Sequence, residues 1–73
     1  MAQNASAFSI ELNGEPYKVE GDPYLAALIG KLNLTPARIA VELNQRVIPK
    51  AEYQKVALKA GDQLEIINFV GGG

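Results

Sequence analysis

The 73-residue sequence predicts an α+β fold, in which one main helix packs across one face of a mixed β-sheet. Two short segments with alternating apolar and polar residues come first, and the dipeptide Asn13-Gly14 joins them. A segment with the apolar period of a helix follows, and further alternating segments come after it. A sheet formed from these strands buries one face, and the helix is the element available to cover it.

The segment "FSIEL" begins the first strand, and its apolar residues share one face of the chain. Asn13-Gly14 predicts a type I′ hairpin turn, because both central residues of such a turn need a positive φ. The return strand is "EPYKVE". Pro16 lacks an N–H, so we expect it at the start of that strand or on an unpaired edge.

The segment "GDPYLAALIGKLNL" predicts the helix. Asp22 is the expected N-cap, Pro23 the first helical residue and Asn33 the residue just past the C-terminal end. Apolar residues at helical spacing form one stripe that should face the sheet, namely Leu25, Leu28, Ile29 and Leu32.

The second half of the chain predicts mainly strands. A turn at Pro36 leads into the alternating segment "IAVEL", and Asn44-Gln45-Arg46 forms a tight turn. A short strand at Val47-Ile48 follows, then about one helical turn in "KAEYQK" and a last strand over 63–69. The long connection between the first and last strands allows them to pair in parallel at the centre of the sheet. This order and period are typical of the β-grasp, or ubiquitin-like, fold.

Length and composition predict the domain organisation and argue against several classes of partner. The chain predicts a single domain over 1–73, with residues 1–6 frayed and 70–73 forming a flexible C-terminal tail. Seven basic and eight acidic residues give a net charge of −1, which does not favour nucleic acid as a partner. No apolar stretch is long enough to span a bilayer, and the first residues do not resemble a signal peptide. A small domain without cysteine, and so without disulfides, is typical of the cytoplasm, where we expect this protein.

The sequence contains no histidine and no cysteine. Zinc sites of the usual kind and Ser-His or Cys-His nucleophiles are therefore excluded. No phosphate-binding loop or dinucleotide fingerprint is present. We expect a protein that is not an enzyme and that binds no cofactor or metal of its own.

The last strand predicts a docking surface. By parity, Leu64 and Ile66 face the helix, so Ile67 and Phe69 would lie on the open face of the sheet. A bulge near Ile66-Ile67 is the alternative, since it would turn one of these side chains back into the core. If they are exposed, then Ile67 and Phe69, with Val70, form an apolar patch beside the tail that could dock a partner.

The sequence ends in Gly71, Gly72 and Gly73. Glycine has no Cβ, so such a tail can enter a narrow channel and be held through its backbone. The reactive group would be the carboxyl of Gly73, which is ionised at neutral pH and needs activation by a partner enzyme. Fraying or a cloning scar is the alternative explanation for the three glycines.

The segments "ELNGEPYKV", "IAVELNQRVIPKAEY" and "LKAGDQLEIINFVGGG" resemble the ThiS family, the sulfur carriers of thiazole formation in thiamine biosynthesis. The resemblance covers residues 8–73. It implies that an E1-like, ThiF-like adenylyltransferase uses Mg-ATP to adenylylate Gly73. It also implies that the adenylate becomes a thiocarboxylate, and that a ThiG-like thiazole synthase takes up the sulfur.

Three other functions remain open from the residues. The small subunit of molybdopterin synthase is also a β-grasp carrier ending in Gly-Gly. A ubiquitin-like protein modifier would join its tail to lysines of other proteins. In a plain binding module, removal of Gly73 would have no effect.

Overall fold

The computed structural model describes residues 7–69. The predictions for residues 1–6 and for the tail over 70–73 lie outside the described residues. The elements in chain order are β1 (Ala7–Leu12), β2 (Glu15–Glu20), α1 (Leu25–Lys31), a 3-10 turn (Pro36–Arg38), β3 (Ile39–Leu43), β4 (Arg46–Ile48), a second 3-10 turn (Lys50–Glu52) and β5 (Gln63–Asn68).

The five strands form one sheet in the order β2-β1-β5-β3-β4. Strands β1 and β5 run parallel, whereas β1-β2, β3-β4 and β3-β5 run antiparallel. The first and last strands therefore pair in parallel near the centre of a mixed sheet, with one α-helix in the described chain, as the sequence predicts. This is the β-grasp arrangement.

The core lies between α1 and one face of the sheet. Leu25, Leu28 and Ile29 of the helix are buried, whereas Leu32 is half-buried at its end. The sheet and the long connection before β5 contribute the other buried apolar residues, which are Ile10, Val19, Ile39, Val41, Tyr53, Leu58, Leu64 and Ile66. Burying a side chain of this size stabilises the fold by about 1.5–3 kcal/mol.

The prediction that Asp22 is the N-cap of α1 is wrong, because the chain stays extended for two residues longer. Tyr24 is the N-cap, with φ −75° and ψ 145°. Its N–H donates to Asp22 Oδ1 at 2.9 Å, and it forms an antiparallel bridge with Ala57. Asp22 thus stabilises the approach to the helix, and Pro23 precedes its first turn.

The C-terminal end of α1 follows the prediction. Asn33 has φ 60°, the left-handed conformation expected just past a helix. Its N–H donates to the Gly30 carbonyl at 3.0 Å, and the Leu34 N–H donates to the Ile29 carbonyl at 3.1 Å. These two bonds form a Schellman motif, which satisfies the last carbonyls of the helix.

The remaining boundaries differ from the predictions by about one residue. Pro16 lies near the start of β2, an edge strand, as expected. The second hairpin turn is a two-residue turn at Asn44-Gln45, so Arg46 belongs to β4 rather than to the turn. Strand β5 ends at Asn68, and Phe69 follows it.

Within residues 7–69, no helix is long and apolar enough to cross a membrane.

Candidate docking site beside the C-terminal tail

The parity of β5 places apolar side chains on both faces of the sheet. Leu64 and Ile66 are buried at 1% and 8% exposure, whereas Ile67 and Phe69 are 60% and 52% exposed. The pairing of β3 with β5 is continuous from Ile39↔Asn68 to Leu43↔Leu64. The bulge alternative is therefore wrong, and the predicted exposure of Ile67 and Phe69 is confirmed. Their role in docking remains a prediction.

Strand β5 and the residue after it are held by hydrogen bonds that reach Phe69 on one side and Ile66 on the other. On the β3 side, the Phe69 N–H donates to the Arg38 carbonyl at 2.7 Å. On the β1 side, the Asn13 N–H donates to the Leu64 carbonyl at 2.9 Å, and Asn13 Oδ1 accepts from the Ile66 N–H at 2.9 Å. Because β1 pairs with β5 only as far as Leu12↔Leu64, the Asn13 side chain takes over where the strand pairing ends.

The start of β5 is held by a buried carboxylate. Asp62 is 3% exposed and accepts hydrogen bonds from the Lys59 N–H at 2.9 Å and from Asn44 Nδ2 at 3.0 Å. Burial disfavours its charged form, but the hydrogen bonds from Asn44 and Lys59 and the charge of Lys59 together outweigh burial, so the pKa of Asp62 is lowered. Both carboxylate oxygens of Asp62 thus accept a hydrogen bond from the fold itself.

The register of β3 brings further residues next to the predicted patch. Ala40 lies opposite Ile67, and Glu42 lies opposite Glu65. On the other side of β3, Glu42 lies opposite Val47, whose side chain is 72% exposed. Sequence reasoning missed Val47 because its place on the open face depends on the pairing of β3 with β4. The alternation in "IAVEL" predicts that Glu42 points away from the core, but it does not predict that Val47 lies beside Glu42.

Residues 7–69 contain no group of three or more acidic side chains that could hold a metal ion. Val70, Gly71, Gly72 and Gly73 lie outside the described residues, so the proposed tail is known here from sequence alone. The structure shows that β5, held by hydrogen bonds, leads towards the tail and that Ile67 and Phe69 at its end are exposed.

The model of the ThiS family matches residues 10–73. A thiazole synthase of Magnetococcus marinus is 41% identical over 64 residues, which is 88% of this chain but 20% of that protein. The chain thus spans about a fifth of that relative. The sulfur carrier protein ThiS of Bacillus subtilis is 35% identical over 65 residues, covering 88% of this chain and 98% of that one.

A solved structure has the same fold. The crystal structure of the thiamine biosynthesis protein ThiS from Geobacter metallireducens superposes with a TM-score of 0.73 at 30% sequence identity. The match covers 90% of this chain and 100% of that one. Fold, sequence and the tail therefore lead to the same conclusion: the chain belongs to the ThiS family.

Proposed function

We propose that this chain is a sulfur carrier of thiamine biosynthesis, in which the carboxyl of Gly73 carries the sulfur. One observation carries the proposal: the match to the ThiS family runs through the glycine tail to Gly73. The Bacillus relative named as a sulfur carrier aligns over nearly its whole length, which supports the same assignment.

The proposed chemistry explains why partner enzymes are needed. A C-terminal carboxylate, with a pKa near 3.5, is ionised at neutral pH and is a poor electrophile. An E1-like adenylyltransferase would bind Mg-ATP, and attack of the Gly73 carboxylate on the α-phosphorus would release pyrophosphate. Attack of a sulfide-level nucleophile on the acyl-adenylate would then release AMP and leave a thiocarboxylate. The carrier binds no nucleotide in this scheme and acts as a recycled substrate rather than as an enzyme.

Thiazole synthase is the proposed acceptor of the sulfur. The similarity of this chain to about a fifth of a protein named thiazole synthase supports that partnership. A cytoplasmic location is part of the proposal, because the activation step consumes ATP.

The geometry of β5 fits delivery of the tail. Hydrogen bonds hold the strand as far as Ile66 on the β1 side and as far as Phe69 on the β3 side, so the chain is anchored up to the residue before Val70. Three residues beyond Val70 can reach about 10 Å when extended. We propose that Ile67 and Phe69, with Val70, contact the partner while Gly71 and Gly72 enter its active site.

The test is an intact mass measurement after incubation with the cognate adenylyltransferase, Mg-ATP and a sulfur donor. We expect the mass change of one oxygen replaced by sulfur, confined by fragmentation to Gly73. Deletion of Gly73 should abolish the change. The matched control is Gly30→Ala, since a Cβ at Gly30 meets nothing within 4 Å.

Other outcomes separate the remaining candidates. An unchanged mass with a competent enzyme would contradict the proposal. A covalent conjugate to a second protein would indicate a protein modifier. Rescue of a molybdopterin auxotroph rather than a thiamine auxotroph would indicate the small subunit of molybdopterin synthase.

A further inference from the structure

The face of the sheet that points away from α1, here the open face, carries a larger net negative charge than the molecule as a whole. The strand registers place four carboxylates and one ammonium on it, those of Glu11, Glu20, Glu42, Glu65 and Lys18. Its formal charge is −3, whereas the rest of the chain sums to +2 and the whole to −1. The amino-acid composition does not show this uneven distribution of charge, because it depends on which residues the strand registers place on the same face.

Two of these carboxylates belong to residues that lie directly opposite each other, so their like charges repel. Glu42 and Glu65 lie directly opposite on neighbouring strands, an arrangement that is destabilising for like charges. The ammonium of Lys18 lies on β2, two strands away from β5, and its Nζ is 3.5 Å from Glu20 Oε2. Within residues 7–69, neither Glu42 nor Glu65 forms an ion pair.

Exposed apolar side chains flank the carboxylate pair. Val47 lies opposite Glu42 on the edge strand, at 72% exposure, and Ile67 is two residues along β5 from Glu65, at 60% exposure. A recess of about 60 Å³ opens between Glu42, Gln45, Gln63 and Glu65. The open face therefore combines an apolar surface with an uncompensated acidic centre, next to the start of the tail.

We infer that the open face docks a partner surface that is apolar and carries an arginine, and that the guanidinium enters the recess between Glu42 and Glu65. This rests on the proposed function, which makes the adenylyltransferase the partner. A guanidinium offers five donors in a planar fork, so a single side chain can bridge two carboxylates and remove their repulsion. Apolar groups around it would cover Val47, Ile67 and Phe69.

Charge complementarity would also orient the encounter. An approaching basic surface is attracted by the open face and repelled by the remainder of the molecule, whose net charge is positive. Since β5 lies in this face and runs into the tail, docking there aligns Gly73 with the partner that must receive it. The carboxylate pair thus costs the isolated domain some stability and provides specificity in the complex.

The experiment compares the double variant Glu42→Gln, Glu65→Gln with the single variant Glu15→Gln, in which an exposed carboxylate outside the open face is neutralised. Affinity for the adenylyltransferase is measured by calorimetry at low and high NaCl concentration. We expect the double variant to bind at least about tenfold more weakly and with a smaller salt dependence, while its melting temperature stays equal or rises. Glu15→Gln should bind like the wild type.

A charge reversal gives an independent outcome. Glu65→Lys should weaken binding further than Glu65→Gln, because it places a cation where the partner brings one. Equal affinities of the double variant and Glu15→Gln, or tighter binding by Glu65→Lys, would overturn the inference. The two proposals fail separately: absence of the thiocarboxylate on the wild type contradicts the carrier function, whereas the affinity comparison reports on the docking face.

Discussion

Asn44 and Asp62 join the β3-β4 turn to the start of β5 through a hydrogen bond of 3.0 Å between Asn44 Nδ2 and Asp62 Oδ1. The same Asn44 side chain accepts the Gln63 N–H through its Oδ1 at 2.9 Å, and the Asn44 N–H donates to the Gln63 carbonyl at 2.7 Å. Asn44 therefore joins the turn to the start of the central strand through two side-chain bonds and one backbone bond. The strand that leads to the tail is held in place where it begins.

Replacement of Asp62 by alanine should destabilise the domain. The change removes the buried acceptor of two part-buried hydrogen bonds, those from Asn44 Nδ2 and the Lys59 N–H, which costs about 1–3 kcal/mol. Urea denaturation measures the loss. Glu15→Ala is the control, and as a surface change it should stay within about 0.5 kcal/mol of the wild type. Equal stabilities of the two variants would show that the Asp62 bonds contribute nothing.

The same carboxylate predicts a loss of stability in acid. The pKa of Asp62 is lowered from its ordinary value of 3.8, so the folded state favours the ionised form. Its contribution is complete above the unfolded-state pKa and is lost as the pH falls through the lower folded-state value. Denaturation of the wild type and Asp62→Asn from pH 7 to pH 2 should therefore show a gap that narrows below about pH 4. A gap that widens in acid would contradict this sign.

Asn13 should contribute through its side chain as well as through its backbone conformation. Its φ of 52° suits asparagine or glycine, and its Oδ1 accepts the Ile66 N–H. Asn13→Gly keeps the conformation but removes the acceptor, so we expect a loss of about 0.5–1.5 kcal/mol. Asn13→Asp keeps an acceptor at the same place and serves as the control in thermal denaturation. If both variants match the wild type, the side-chain bond is not a contributor.

Element types could be predicted from the sequence because each depends on neighbouring residues. The alternation around Ile10, the helical stripe that begins at Leu25 and the Asn13-Gly14 turn are all local signals. The sequence places the start of α1 too early because Tyr24 pairs with Ala57, which is 33 residues away along the chain. No local propensity contains that bridge.

Only the part of the candidate site that depends on a single segment could be predicted from the sequence. Parity along one strand is sufficient to place Ile67 on the open face and to predict that Phe69, just after β5, is exposed. The opposition of Glu42 and Glu65, and the position of Val47 beside them, depends on the register between strands. Register follows from packing and turn geometry across the whole sheet, so the acidic centre could not be predicted from a single segment.

Glycine at position 45 should stabilise the second hairpin. Gln45 has φ 70° in the two-residue turn Asn44-Gln45, whereas the equivalent position of the first hairpin is occupied by Gly14. A residue with a Cβ pays about 1 kcal/mol or more in this conformation. Gln45→Gly should therefore raise the melting temperature by about 4–8 °C, as expected for about 1 kcal/mol in a domain of this size. The reciprocal change Gly14→Gln should lower it, and a fall for Gln45→Gly would contradict the argument.

Replacement of Phe69 by serine should weaken partner binding while leaving the domain folded. The Phe69 side chain is 52% exposed and follows the last strand residue, so its loss removes little buried surface. As part of the proposed docking patch, it should cost about tenfold in affinity for the adenylyltransferase. Ile66→Ser is the matched control on the opposite face, where 8% exposure predicts a loss of about 2–5 kcal/mol in stability. A large fall in melting temperature for Phe69→Ser, or unchanged affinity, would remove Phe69 from the docking surface.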